Sequence, residues 1–310
     1  MDSETRAIAH EFLPYFRAYR DGHVERFFGS HKVPASMDSS NAVFSKDVVI
    51  VPEKGVSARI FIPSAAIKTN QKLPLLVYYH GGGFFMGSPF CSTYHNYVGS
   101  LSAKANVIVV SVDYRLAPEH LVPAAYEDSW AALAWVAYHF NINGHGYEVW
   151  LNDHADFARV FLAGDSAGGN IVHNMAVQAS FEDLNGIKLA GICLVQPYFG
   201  RNDEVVDRCW VFVCPNTSGY NDVRINPAAD SRLMSLRCPR VLVCVAEKDN
   251  LRDRGLLYYE TLKNCGWAGE IEIVETEGED HVFHLFNPGS EKAVALMDKL
   301  ASFLNQDNVF

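Results

Sequence analysis

The run VFLAGDSAGGN, residues 160–170, is the stretch on which the fold turns. Residues 160–163 are apolar and end at Gly164. From Ala167 onward, Ile171, Val172, Met175 and Ala176 recur at helical spacing. A strand that passes through so short a turn into a helix holds Ser166 at the apex of the turn. Glycines at 164 and 168 remove the side chains that would clash where strand and helix cross, and the serine backbone itself is strained. The helix beginning at Ala167 aims free N–H groups and its positive dipole end at the serine hydroxyl. A G-x-S-x-G pattern alone arises by chance in about one chain in ten of this length. The strand before it and the helix after it are what give it weight.

Outward from this turn, apolar segments bounded by turn residues recur at 47–51, 57–62, 75–79, 107–112, 189–195, 241–245 and 271–274. Several are continuous rather than alternating, as in strands covered on both faces. Helical patterns lie between them at 124–140, 167–179, 254–265 and 290–304. Strands alternating with helices predict an α/β fold with a mostly parallel sheet and helices on both faces. Two stretches fall outside the alternation. Residues 1–41 read as one short amphipathic helix followed by Gly, Ser and Pro, and residues 200–230 are rich in Asn, Asp and aromatics. Such segments sit over the C-terminal edge of a layered sheet, where ligands bind. The reading is therefore a single domain over 1–310, in which 1–41 and 200–230 contribute a cap.

The chain has 310 residues, 49% of them hydrophobic, which is ample for one large core. Its formal net charge of -10 argues against nucleic acid or an anionic membrane surface as partner. No apolar run approaches the roughly 20 residues that span a bilayer. The opening, MDSETRAIAHEFLPYF, lacks an apolar core and a cleavage site, so a soluble intracellular protein is expected. Cys91, Cys193, Cys209, Cys214, Cys238, Cys244 and Cys265 are scattered without paired or metal-ligand spacing, as expected in a reducing compartment. Cys193 and Cys244 read as core residues, and Cys209 and Cys214 as unreactive thiols. Nor do His10, His23, His31, His95, His120, His139, His145 and His154 show ligand spacing, so neither a metal nor a cofactor is expected.

A serine nucleophile needs a base, an acid to orient the base, and donors for the developing oxyanion. His80-Gly81-Gly82-Gly83 ends an apolar strand, and three glycines in a row suit backbone access better than any regular element. The N–H groups of Gly82 and Gly83 are the candidate donors, together with that of Ala167. No P-loop lysine follows, which disfavours a phosphate cradle. The strand at 241–245 runs into Ala246-Glu247-Lys248-Asp249. Asp249 is the chosen orienting acid, with Glu247 and Asp253 as the other acids at this strand end. After the strand at 271–274, His281 lies in the loop before the next apolar run and is the better-placed base, with His284 as its rival. His173, in the helix after the serine, reads as structural. Asp165 reads as a brace for its loop through backbone hydrogen bonds.

Taken together, HGGGF at 80–84, DYRLAPE at 113–119, PAAYED at 123–128 and GDSAGGN at 164–170 resemble the hormone-sensitive-lipase group of the α/β-hydrolases. YRDGHVER at 19–26 and WLNDHADF at 150–157 are similar to plant class I carboxylesterases in particular, and the likeness runs essentially the whole length. The resemblance implies an α/β-hydrolase fold with an eight-stranded sheet, an N-terminal cap and a cytoplasmic or nuclear plant enzyme. It implies Ser166, Asp249 and His281 as catalytic triad, with Gly82, Gly83 and Ala167 as oxyanion donors. The segment 200–226 is short for the family, which carries part of its cap there. Gibberellin receptors are similar but lack the catalytic histidine, which His281 supplies here. Dehydratases and cyclases of plant specialised metabolism are also similar, some with altered elbow or oxyanion residues; Ser166 and the three glycines are intact here.

The expected activity is hydrolysis of small carboxylic esters, short acyl groups first, through an acyl-enzyme on Ser166 and without a cofactor. The alternatives are a lyase or cyclase that eliminates an acid from the same pocket, and a small-molecule receptor. The expected partner is a small ester, with neither nucleic acid nor membrane; the oligomeric state is left open.

Overall fold

A computed structural model describes residues 6–38, 42–69, 71–141, 146–200 and 207–306. Its strands form two sheets. The small one is antiparallel and joins β1 (Ile8–Phe12), β2 (Phe16–Tyr19) and β3 (Val24–Arg26). The large one has eight strands: β4 (Val43–Val51), β5 (Val56–Pro63), β6 (Leu73–Tyr79), β7 (Ile108–Asp113), β8 (Ala155–Asp165), β9 (Leu189–Val195), β10 (Arg240–Ala246) and β11 (Glu270–Thr276). Their order across the sheet is β4-β5-β7-β6-β8-β9-β10-β11. The pairs β4–β5 and β5–β7 are antiparallel, and every pair from β7 to β11 is parallel. All eight expected strand segments lie in this sheet, which is the mostly parallel α/β arrangement read from the sequence.

Every residue of β6, β9 and β10 is buried, because helices cover both faces. Side chains alternate between those faces. On β6, Leu75, Val77 and Tyr79 enter a core completed by the helices Ala124–Asn141, Ala167–Phe181 and Arg252–Asn264. Leu76 and Tyr78 enter a second core beneath the helices Ser92–Ala105 and Glu291–Asn305. The cysteines follow the same logic: Cys193 and Cys244 are buried in the second core, and all seven thiols are free.

The N-terminal segment corrects the sequence reading. In place of a short amphipathic helix, residues 8–26 form the small antiparallel sheet. Pro14 lacks the N–H a helix would need at its centre. Phe16 and Ala18 are buried while their neighbours Arg17 and Tyr19 are less so, a period of two. Gly22 closes the next turn at φ 85°, donating to the Tyr19 carbonyl at 3.1 Å. The helix Ser92–Ala105 has no clear signal in the sequence. Its buried Tyr94, Tyr97, Val98, Leu101 and Ala105 have helical spacing, but Gly99 and Ser92, Ser100 and Ser102 dilute the signal.

Both stretches read as cap are described in part; residues 1–5, 39–41 and 201–206 lie outside the described residues. The small sheet and the helix Arg208–Val213 meet on the loop after β6. There Phe85 packs on Phe16 at 4.7 Å and on Phe12 at 5.9 Å, and Phe212 packs on Phe12 at 5.1 Å and Phe16 at 5.3 Å between ring centroids.

Candidate active site

Ser166 stands between the end of β8 and the helix Ala167–Phe181 with φ 52° and ψ -118°, a conformation few L-residues adopt. Its backbone is bonded on both sides. The N–H donates to the Val195 carbonyl at 2.9 Å, and the carbonyl accepts from Tyr198 N–H at 2.9 Å and Asn170 N–H at 3.1 Å. The two motif glycines are required by space. A Cβ on Gly164 would meet the Gly168 backbone at 2.5 Å, and one on Gly168 would collide with the Tyr79 carbonyl oxygen of β6. Gly168→Ala should therefore destabilise the fold by about 3 kcal/mol, the upper range for overpacking. A lowered urea midpoint at unchanged slope would show it.

Asp249 follows the end of β10 and is buried. Its Oδ1 accepts the Leu251 N–H at 2.8 Å, leaving Oδ2 to meet His281 Nδ1 at 2.8 Å. His281 Nε2 lies 3.0 Å from Ser166 Oγ. With the Nδ1 hydrogen donated to the carboxylate, the Nε2 lone pair faces the serine hydroxyl. The three residues chosen from the sequence thus lie in one hydrogen-bonded line, drawn from the ends of β8, β10 and β11.

Gln196, which the sequence reading missed, secures the turn that bears the base. Gln196 is buried at φ 48°, donates its N–H to the Cys244 carbonyl at 2.7 Å, and accepts the Val282 N–H on its side-chain oxygen. Glu247 braces the same loop by accepting the Gly278 N–H at 2.6 Å, which accounts for an acid there without an orienting role. Asp253 is paired with Arg252 at 3.1 Å. His284 is buried against Tyr97, with ring centroids 4.9 Å apart; burial, aided by His281, pushes its pKa down to about 3.

The loop after β6 carries the candidate donors. Gly82, Gly83 and Phe84 all have positive φ, at 109°, 60° and 67°. A Cβ on Gly82 would strike the Met86 carbonyl oxygen. The Gly82 carbonyl accepts the Phe85 and Met86 N–H groups at 3.1 and 3.0 Å. The N–H groups of Gly82, Gly83 and Ala167 bond to no acceptor among the described residues, as a site for a developing oxyanion requires.

Asp165 ties the serine turn to this loop. It accepts Tyr78 O–H at 2.6 Å, Tyr94 O–H at 2.8 Å and Gly81 N–H at 3.2 Å, and Gly81 N–H also reaches Tyr94 Oη at 2.8 Å. The expected brace is present, with two tyrosine hydroxyls added to the backbone bond. Burial raises the Asp165 carboxyl above its ordinary value, and the bonds from Tyr78 and Tyr94 oppose the rise.

The remaining motifs are scaffolding. Arg115 grips Asp128 through Nε at 2.7 Å and Nη2 at 2.8 Å, and Ala117 N–H holds the Phe84 carbonyl at 2.9 Å. Tyr126 O–H donates to Asn170 Oδ1 at 2.6 Å. His80 stacks on Tyr114 at 4.3 Å, and burial lowers its pKa to about 4. His173 is likewise buried, edge-on to Tyr258, with its pKa lowered to about 4. Burial pushes the Cys209 thiol up to about 12 and raises that of Cys214, so neither competes as a nucleophile. Among the described residues no cluster of side chains could hold a metal ion, and no helix is long and apolar enough to cross a membrane.

Against known proteins, residues 76–285 match a family model described as alpha/beta hydrolase fold. Probable carboxylesterase 5 of Arabidopsis thaliana is 45% identical over 322 residues, covering 98% of this chain and 99% of the relative. The 2-hydroxyisoflavanone dehydratase of Glycyrrhiza echinata is 42% identical over 319 residues, covering 97% of each. Among solved structures, a hyperthermophilic esterase of the archaeon Pyrobaculum calidifontis is 32% identical, with a TM-score of 0.65 over 84% of each chain. The thermostable carboxylesterase EstE1 from a metagenomic library is 30% identical, with a TM-score of 0.67 over 84% of this chain and 87% of its own.

Proposed function

The chain belongs to the α/β-hydrolase fold family, as a plant carboxylesterase that cleaves carboxylic esters through a serine, and from this premise we propose that Ser166, His281 and Asp249 perform the cleavage. The observation that carries the assignment is His281 Nε2 standing 3.0 Å from Ser166 Oγ, with its other nitrogen on Asp249. Ser166 Oγ attacks the ester carbonyl while its proton passes to His281 Nε2, and the resulting imidazolium is held by Asp249. The N–H groups of Gly82, Gly83 and Ala167 receive the oxyanion. Collapse breaks the bond to the leaving oxygen, which takes the proton from His281 and departs as the alcohol. Water then attacks the acyl-serine, gives its proton to His281, and releases the acid with Ser166 restored.

The substrate in this reading is a small ester with a short acyl chain. The close aromatic packing around the oxyanion loop supports it, with Phe84 edge-on to Tyr126 and to Trp210 at 5.8 Å each. Hydrolysis of p-nitrophenyl acetate should exceed that of p-nitrophenyl palmitate by about 100-fold in kcat/KM, or about 2.7 kcal/mol of transition-state binding. Equal rates would remove the preference for short chains.

Likeness to relatives named 2-hydroxyisoflavanone dehydratase favours one second reading, elimination from the same pocket. Turnover in ¹⁸O-water separates the two: hydrolysis places one heavy oxygen in the acid product, and elimination places none. A reducing compartment, cytosol or nucleus, fits the seven free thiols.

A further inference from the structure

Arg26 closes β3, the last strand of the small N-terminal sheet. Its side chain leaves that sheet and crosses to the loop after β6. Nε donates to the Phe85 carbonyl at 2.7 Å and Nη2 to the Ala117 carbonyl at 2.9 Å. The outer nitrogens pair with Glu119 at 2.9 and 2.6 Å, so the planar fork is held in one orientation. Both carbonyls belong to the oxyanion loop or to its support. Phe85 lies two residues beyond Gly83, and Ala117 holds the Phe84 carbonyl through its own N–H.

The stretch between these anchors needs them. Phe84 sits at φ 67° beside two glycines at positive φ, a conformation that persists only where the surroundings over-determine it. At the near end Gly81 is tied to Asp165 and Tyr94. At the far end the only side-chain donor on the Phe85 carbonyl, among the described residues, is Arg26. The Phe85 ring is covered by Phe12 and Phe16 of the same small sheet.

We propose that Arg26 is a positioning residue for ester hydrolysis, through which the N-terminal cap sets the direction of the Gly82 and Gly83 N–H groups toward the oxyanion. The inference rests on the hydrolytic reading above. It assigns the small N-terminal sheet a share in transition-state binding.

The test compares Arg26→Met, which keeps the stem and removes the donors, with Arg26→Lys and with the control Arg17→Met. Arg17 is a cap arginine whose carboxylate partner, Glu11, lies within the cap itself. For Arg26→Met, kcat on p-nitrophenyl acetate should fall about 10-fold with KM within about twofold, a smaller loss than deletion of an oxyanion donor. Inhibition by a trifluoromethyl ketone, whose adduct places an oxyanion in the site, should weaken by the same factor. The matching methyl ketone, which stays trigonal, should bind as before. Arg26→Lys, able to reach one carbonyl, should recover part of the loss, and Arg17→Met should behave as wild type.

An Arg26→Met enzyme with unchanged kcat and unchanged trifluoromethyl ketone inhibition would overturn the proposal. So would a variant whose only change is a lower melting temperature. Should Arg26→Met fail to fold, Arg26→Lys against wild type gives the same comparison. A wild type that hydrolyses no ester would instead overturn the hydrolytic reading, and the two failures are thereby told apart.

Discussion

Ser166→Ala should lower kcat/KM for p-nitrophenyl acetate by about 10⁴-fold or more while the protein stays folded. The side chain's one hydrogen bond among the described residues is to His281, and the turn is held by backbone bonds to Val195, Tyr198 and Asn170 that alanine retains. Loss of the hydroxyl therefore removes the nucleophile and little else. The urea midpoint should stay within the error of the wild type, and no burst of p-nitrophenol should precede steady state. Residual turnover within tenfold of wild type would show that the acyl group is carried elsewhere or that water attacks directly.

Asp249→Asn should cost about 10³- to 10⁴-fold in kcat with KM little changed, for a different reason. Leu251 N–H binds one carboxylate oxygen, so an asparagine carbonyl would take that position and turn its NH₂ toward His281. A ring nitrogen facing an NH₂ group must be the acceptor, which moves the imidazole hydrogen to the nitrogen opposite Ser166. The base would then present a donor where a lone pair is required. Geometry would survive and chemistry would not, so a product-like acid should bind the variant as well as wild type. Wild-type kcat in Asp249→Asn would move the orienting role to another carboxylate.

The chemistry was more legible in the sequence than the architecture around it. Ser166 and the glycines at 164 and 168 announce themselves within five residues, because strand, turn and helix are all local. Asp249 and His281 follow from their places as an acid and a base each just past a strand, and the structure brings both to Ser166. The eight core strands were legible because burial on both faces makes them continuous apolar runs. What escaped was set by distant partners. Gln196 acts on a residue 86 positions away, and Arg26 on residues 59 to 93 positions away, so no spacing within the chain points to either. Within 1–41 the sequence suggests one short amphipathic helix, whereas Pro14 and the turn at Gly22 break the chain there into the three short strands of the small sheet.

The base is carried by a turn just beyond β11, one of the two edge strands of the large sheet, whereas the serine and the oxyanion loop spring from its centre. These parts are therefore separable heritable units. Substitutions in the His281 turn touch none of the bonds by which Asp165 joins Tyr78, Tyr94 and Gly81, and so leave the tie between the serine turn and the oxyanion loop in place. A descendant can thus forfeit turnover in one step while keeping a preorganised cradle for a carbonyl compound. The architecture makes the passage from catalyst to binding protein short, and the passage back equally so.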